Sequence, residues 1–457
     1  MWNAWGRAGL AFDIAAASRA GAHALAQRQA NRLAALLQAA ARGSPLYRQI
    51  LAGRDTRRVA LADLPPMSKP ELMSRFDDWV ADRRLRLADL QRFTADPARI
   101  GDPVLGRYCV WESSGSSGEP GIFVQDPNAL AVYDLLEMLR RPLLQPLRRA
   151  IDPWGIGERL AFVGATTGHF ASTVWLRRLA RQAWDGRQLQ LHSFLQPPGE
   201  LIANLHAQAP TVLATYPSVA WALAEQAAAG RLRLRLHELW TGGEALTPGM
   251  RDFLSRSFGC PVAQGYGASE MLTLASECRF GRLHLNSDWA LLESVDADHR
   301  PVPAGHPGAT SLLTNLANHV QPLIRYELGD RVKLRDDACP CGLTLPVIEV
   351  QGRSDDTLVM HDRGGRAVRL SPLALVTVLE EDAGVFDFRV VQTGRRALTL
   401  EIAASGPQGE ASMERARAAL QAFLRAQGLD GVRLKARCGA AFERGRSGKT
   451  QRVVGAG

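Results

Sequence analysis

The 457-residue chain contains no stretch of about 18 uninterrupted apolar residues, the length a helix needs to cross a bilayer, so no membrane span is expected. Its first 30 residues also lack the compact apolar block and small-residue cleavage site of a secretory leader. Arg7, Asp13, Arg19 and Arg28 interrupt the alanines there, and an N-terminal helix and a cytoplasmic location are expected instead. Six cysteines are too few for a disulfide framework in a chain of this length, and Cys109, Cys260 and Cys438 stand alone. No phosphate loop of the Gly-(four residues)-Gly-Lys-Ser/Thr type occurs, which removes support for that class of nucleotide enzyme. There is no internal repeat and no low-complexity tract.

What is present is an ordinary core-forming composition, with 46% hydrophobic and 22% charged residues. The length predicts two or three domains. A net charge of +9 favours anionic partners: nucleic acid, ATP, or an acidic carrier protein. The arginines are spread along the chain rather than run together, so no dedicated nucleic-acid surface is expected.

Residues 1–100 read as a helical lead-in. Ser68-Lys69-Pro70-Glu71 is a helix start, with a Ser cap, a Pro in the first turn and an early acid. From about 104 to 260 short apolar strands alternate with helices: Val110–Glu112, then 129–144, 160–163, 171–183, 211–214 and 218–229. That alternation predicts an α/β sheet with helices on its faces. After Gly352-Arg353-Ser354-Asp355-Asp356 the pattern becomes β–α–β over about one hundred residues. The fold expected is therefore α/β, with a large N-terminal domain over 1–354 and a small, mobile α+β domain over 355–457.

Ser113-Ser114-Gly115-Ser116-Ser117-Gly118-Glu119-Pro120-Gly121 is the most informative stretch. Glycines let the backbone approach an anion closely, and serine hydroxyls and free amides donate to phosphate oxygens. The expected setting is after a strand and before a helix. Taken alone, the same composition suits a flexible linker. Four further motifs follow in order: Gly265-Tyr266-Gly267-Ala268-Ser269-Glu270, Tyr326-Glu327-Leu328-Gly329-Asp330, Gly352-Arg353-Ser354-Asp355-Asp356, and Arg446-Ser447-Gly448-Lys449-Thr450-Gln451-Arg452. Together the five resemble the adenylate-forming superfamily of acyl-CoA synthetases, peptide-synthetase adenylation domains and luciferases, over nearly the whole chain. Ser44-Pro45-Leu46-Tyr47-Arg48 and Cys339-Pro340-Cys341-Gly342 are similar to the phenylacetate–CoA ligase branch. The segment Glu277–Asn286 resembles members of aryl-polyene pigment pathways, which load aromatic acids onto acyl carrier protein.

The resemblance implies roles. Ser113, Ser114, Gly115, Ser116, Ser117 and Gly118 would hold the β- and γ-phosphates of ATP. Tyr266 would stack on adenine, with Gly242, Gly243 and Glu244 along its edge and Gly267 and Ser269 in the same loop. Glu270 would hold Mg2+, a hard ion suited to carboxylate oxygen. Asp330 would accept from the ribose hydroxyls, and Arg353 would contact ribose or phosphate. Lys449 would neutralise charge developing in the reaction, although alone it reads as a solvated tail lysine. Asp355 would be the hinge of the small domain, although alone it reads as a surface turn.

Two departures from the pattern stand out. Glu119 takes a place where many relatives carry lysine, and the segment 360–366 differs from the short glycine loop that precedes a CoA-binding surface. The first removes a positive charge from the phosphate loop, and the second leaves acyl carrier protein and CoA open as thiol acceptors. Gly164, His169, Phe170 and Tyr216 are the candidates for the acid pocket, where aromatic walls suit a flat acid. Cys278, His284, Cys339 and Cys341 form a candidate structural zinc set of Cys3His type, against the plainer reading of turn and core cysteines. The function expected is adenylation of an aromatic, hydroxybenzoate-like acid and transfer to acyl carrier protein. The rivals are an aryl-CoA ligase, a nucleotidyltransferase on another acceptor, and a non-catalytic binding protein of the same fold.

Overall fold

The computed structural model describes the chain except for residues 1–3, 114–119, 142–150, 153–156, 182–187, 195, 354–357, 371, 441, 443–451 and 456–457. The lead-in is helical, with Ala4–Ala17, Ala22–Gly43, Pro45–Ile50, Lys69–Ser74 and Leu87–Thr94 as its main helices. Ser68 caps Lys69–Ser74 by accepting from the Glu71 amide at 3.4 Å, as its sequence predicts.

Strands β1 (Cys109–Glu112) and β2 (Ile122–Gln125) form an antiparallel hairpin, with Cys109 opposite Gln125. The Gly/Ser loop therefore joins two strands, where the sequence pattern had placed a strand on one side and a helix on the other. The apolar run Ile122-Phe123-Val124 is fully buried and extends the hairpin before the helix Pro127–Arg140 begins. Asp126 starts that helix by accepting from the amides of Asn128 and Ala129, each at 2.8 Å.

β3 (Leu160–Gly164), β4 (Leu189–Ser193), β5 (Val212–Thr215), β6 (Glu238–Gly242) and β7 (Val262–Tyr266) are parallel neighbours in the order β4-β3-β5-β6-β7. β8 (Ala275–Glu277) and β9 (Leu283–Leu285) continue the sheet antiparallel. A separate three-stranded sheet holds β10 (Ala290–Val295), β11 (Thr310–Asn315) and β12 (Tyr326–Glu327). β13 (Asp330–Leu334) and β14 (Val347–Arg353) complete the large sheet at nine strands. The helices Pro217–Ala228 and Pro248–Phe258 cover one face, where Leu223 and Leu254 pack with Leu213 and Leu239. The neighbouring strands β3 and β5 carry buried runs rather than alternation, as strands between two covered faces do.

The remaining residues build a second, self-contained core. The hairpin β15 (Leu358–His361) and β16 (Ala367–Leu370) lies against a four-stranded sheet of β17 (Phe388–Gly394), β18 (Ala397–Ile402), β19 (Arg433–Arg437) and β20 (Val453–Val454). The helix Gly406–Ala426 buries Met413, Ala416, Leu420 and Leu424 against it. This region docks on the helix pair of the large sheet. Phe386 stacks on Trp221 with ring centroids 4.0 Å apart and planes at 17°. The buried Glu380 carboxylate accepts from the Thr247 hydroxyl and pairs with Arg452, whose guanidinium also lies 3.4 Å from Met250 Sδ.

Candidate active site

In open parallel sheets ligands bind beyond the carboxyl ends of the strands. Here those ends carry the loops that the motifs occupy. β6 ends at Gly242, followed by Gly243, which has φ +77, the left-handed region that glycine accepts without strain. Gly242 lies opposite Gly265 of β7, and a Cβ on it would stand 3.2 Å from the Gly265 carbonyl. Beyond them Glu244 accepts from the Ser218 amide at 2.9 Å and its hydroxyl at 3.0 Å, tying this loop to the start of the helix Pro217–Ala228. β7 ends at Tyr266, and the next six residues turn tightly. A Cβ on Gly267 would come within 1.9 Å of the Leu272 carbonyl oxygen, so only glycine fits.

The hairpin is drawn to the same edge. The Glu112 amide donates to the His169 carbonyl at 2.7 Å, which fixes the end of β1 to the loop following β3. Trp111, fully buried, donates its indole N–H to the Ser269 carbonyl at 2.7 Å. Ser113 closes the root of the loop: its amide donates to the Gly121 carbonyl at 2.9 Å, and its hydroxyl accepts from the Gly121 amide at 2.8 Å. The root of the loop, where Ser113 bonds Gly121, thus begins two positions along the chain from Trp111, which is bonded to Ser269. Ser114 to Gly118 themselves lie outside the described residues.

Glu270 is buried and accepts from the Tyr326 hydroxyl at 2.8 Å through Oε1. Asn315 steadies its backbone, donating to the Glu270 carbonyl at 3.0 Å and to the Tyr133 hydroxyl at 2.8 Å. Tyr266 donates its hydroxyl to Asp330 Oδ2 at 2.6 Å, joining the third motif to the second. β13 and β14 bring Asp330 opposite Arg353 in the sheet register. Asp355 and Lys449 lie outside the described residues. Trp111 and Asn315 are positioning groups outside the motifs, and Tyr326 is a third, to which the motifs assigned no role. Tyr326 belongs to the third motif, and Trp111 directly precedes the loop's Glu112-Ser113, so both lay in view.

The acid-pocket candidates are packed more deeply than expected. His169 is fully buried, with Nε2 2.9 Å from the Asp96 carbonyl and its ring edge-on to Phe93 at 5.0 Å. Phe170 is also buried, and the φ +90 of Gly168 lets the chain turn close over the Phe170 ring. Gly164 lies under the Phe162 ring, where a Cβ would meet it at 2.3 Å. Tyr216 sits edge-on to Phe162, and burial pushes its hydroxyl up to about 12. On the other side of β6, Arg141 stacks 3.2 Å over the Trp240 ring and pairs with Glu158 and Glu238, each at 3.1 Å.

A second cluster lies apart from this edge. The ligand-type atoms of Cys278, His284, Cys339 and Cys341 all fall within 4.8 Å of one another. No helix among the described residues is long and apolar enough to cross a membrane.

Residues 187–309 match the AMP-binding enzyme family. A phenylacetate–coenzyme A ligase of Thermus thermophilus is 32% identical over 283 residues, 59% of this chain and 59% of that protein. Protein CapK of Staphylococcus aureus is 28% identical over 28% of this chain and 27% of its own length. The matched parts thus span less than two thirds of either curated relative. Among solved structures, a 2-hydroxyisobutyryl-CoA ligase in its postadenylation state superposes with a TM-score of 0.69 at 20% identity, covering 96% of this chain and 91% of that one. The same ligase in its thioesterification state, with the same coverage, gives 0.54 at 21% identity. An anthranilate CoA ligase bound to anthranoyl-AMP gives 0.54 at 17% identity over 76% of this chain and 65% of its own. Residues 187–309 thus carry the match to the AMP-binding enzyme family, and over nearly its whole length the chain shares the fold of the 2-hydroxyisobutyryl-CoA ligase.

Proposed function

We propose that the protein is an ATP-dependent, AMP-forming ligase that adenylates a carboxylic acid and passes the acyl group to a thiol. The observation that carries this reading is the convergence, at the carboxyl ends of β6 and β7, of the root of the Gly/Ser hairpin, the Glu270–Tyr326 pair and the Tyr266–Asp330 pair. In the first half-reaction a carboxylate oxygen bonds to the α-phosphorus and pyrophosphate leaves. In the second a thiol sulfur bonds to the acyl carbon, AMP leaves, and the thiol proton is released.

Two anions meet in the first step, so positioned positive charge dominates its catalysis. The hairpin loop 113–118 holds the β- and γ-phosphates through amides and hydroxyls. Tyr266 supplies the adenine face, beside Gly242, Gly243 and Glu244, and Asp330 accepts from the ribose. Glu270 offers a buried carboxylate steadied by Tyr326, a hard oxygen donor that suits Mg2+, and that ion would supply charge neutralisation on the phosphates. Arg353 and Lys449 supply the remaining positive charge. Lys449 stands three positions before Arg452 in the sequence. Arg452 itself is anchored to Glu380 and Met250, beside the loop that carries Glu244. The better match to the postadenylation than to the thioesterification state of one relative supports a docked, adenylation-type arrangement. Asp355, between the two cores, is the hinge in this reading.

The acid is aromatic in this proposal, in keeping with the anthranilate and phenylacetate named for two relatives. Its acceptor is the thiol of an acyl carrier protein, a reading supported by a basic face on the C-terminal core. There Arg363, Arg366, Arg396 and Arg433 gather around residues 428–433, next to the edge strand β19 with Lys435 and Arg437. CoA is the second reading, because the relatives with printed activities are CoA ligases. The test is nucleotide analysis of reactions containing ATP, Mg2+, an aromatic acid and either CoA or a holo carrier protein. AMP and pyrophosphate with a new thioester are expected. Formation of ADP and phosphate, or no acid-dependent turnover across a broad panel, would overturn the proposal.

A further inference from the structure

The side chains of Cys278, His284, Cys339 and Cys341 come from two separate loops and one strand. Cys278 opens the turn between β8 and β9, His284 lies within β9, and Cys339 and Cys341 lie in the loop between β13 and β14. All three cysteines are free, and Cys278, Cys339 and His284 are buried. Cys278 Sγ and Cys339 Sγ are 3.7 Å apart, and Cys341 Sγ is 3.3 Å from His284 Nε2. A tetrahedral zinc with Zn–S near 2.3 Å and Zn–N near 2.0 Å has S···S edges of about 3.8 Å and S···N edges of about 3.6 Å. The S···S separation matches its edge, the S···N separation is slightly shorter than its edge, and 3.7 Å is far too long for a disulfide, whose sulfurs are about 2.05 Å apart.

The surroundings are arranged for metal as well. His284 Nδ1 lies 2.8 Å from the Leu345 carbonyl, which places the ring proton there and turns Nε2 toward the sulfurs. The Phe280 amide donates to Cys278 Sγ and the Leu343 amide to Cys341 Sγ, each at 3.4 Å, and such donors stabilise thiolates. We propose that Cys278, His284, Cys339 and Cys341 bind one zinc ion in a closed Cys3His site that clips the β8–β9 turn to the β13–β14 loop.

The site is structural. Four protein ligands leave no open position, which a catalytic zinc requires. It also sits at the far end of β14 from the nucleotide edge. Val347 pairs with His284, and the strand runs six residues from there to Arg353, about 20 Å at strand rise. What the metal holds is the joint between β9 and β14, where pairing rests on two residue pairs. Arg282 strengthens the same joint by donating to Asp337 at 2.7 Å and to the Ala338 carbonyl. Binding displaces the thiol protons to solvent and involves no oxidation or reduction.

The test does not depend on the reaction assigned above. The untagged protein is assayed for metal by elemental analysis, then unfolded and its released zinc titrated against its cysteines. One zinc per chain is expected, lost in Cys339→Ser with Cys341→Ser, which should also melt at lower temperature. Because that variant risks misfolding, the wild-type protein is also stripped with chelator and reloaded with Co2+. The intense visible absorption of tetrahedral thiolate coordination is then expected, and added Zn2+ should abolish it. Protein that carries no zinc as isolated and gives no such Co2+ spectrum would overturn the proposal, as would a Cys278–Cys339 disulfide found by mass spectrometry.

Discussion

Tyr326→Phe removes one oxygen from the candidate site and little else. Tyr326 is 3% exposed and its ring meets Phe123 edge-on at 6.4 Å, contacts that phenylalanine keeps. What disappears is the 2.8 Å hydrogen bond to Glu270 Oε1. A hydrogen bond to a charged group contributes about 1.5–3 kcal/mol, and the buried setting of Glu270 limits replacement by water, so a stability loss of about 1–2 kcal/mol is expected. Loss of the group that orients a metal-holding carboxylate typically costs about 10–100-fold in metal affinity or activity. The assay is a Mg2+ titration of acid-dependent pyrophosphate exchange at saturating acid. The half-saturating Mg2+ concentration should rise by about tenfold or more, while the acid dependence stays unchanged. Tyr47→Phe is the control: Tyr47 is equally buried, and its hydroxyl accepts from a backbone group, the Ile324 amide, at 3.3 Å. Equal Mg2+ dependence in wild type and Tyr326→Phe, or the same shift in both variants, would refute the role given to Glu270.

Other outcomes follow from the same geometry. Gly267→Ala forces a Cβ against the Leu272 carbonyl and should destabilise by about 3 kcal/mol and abolish ATP binding, measured by urea unfolding and calorimetry. Trp221→Ala and Phe386→Ala in a double-mutant cycle should show a coupling of about 0.5–1.5 kcal/mol in the urea transition that separates the two cores. Additive effects there would remove the stack as a docking contact. Alkylation of the native protein at pH 8 should label exposed Cys438 first and spare Cys260, whose thiol burial pushes up to about 12. Rapid labelling of Cys260 would contradict its placement.

The strands β3 and β5 and the helices Ala171–Ala180 and Pro217–Ala228 were legible because each carries its own apolar pattern, whereas β4, β6 and the helices Pro198–Gln208 and Pro248–Phe258 were not singled out. The second core was legible for the same reason, as β–α–β patterning after Arg353. The hairpin was not. Ile122–Gln125 is a four-residue buried run directly ahead of Asp126-Pro127, and so short a run is indistinguishable by periodicity from the approach to a helix. The motifs marked Glu270, Asp330 and Tyr266 as a set, yet no local pattern shows that Tyr326 reaches Glu270 across 56 residues of chain or that Trp111 reaches Ser269 across 158. His169 drew attention as a loop histidine after a buried strand. Its burial is decided by Phe93 and Asp96 from the helical lead-in, which sequence cannot bring together. The Cys3His set was readable as residue types, while its gathering into one cluster needed the pairing of β9 with β14.

Exchange of labelled pyrophosphate into ATP, measured with and without a panel of aromatic and aliphatic acids, tests the central claim most directly. Acid-dependent exchange with at least one aromatic acid, lost in Lys449→Ala while ATP binding persists, is the result this account predicts. Exchange that is absent with every acid although ATP binds, or that survives intact in Lys449→Ala, would contradict it.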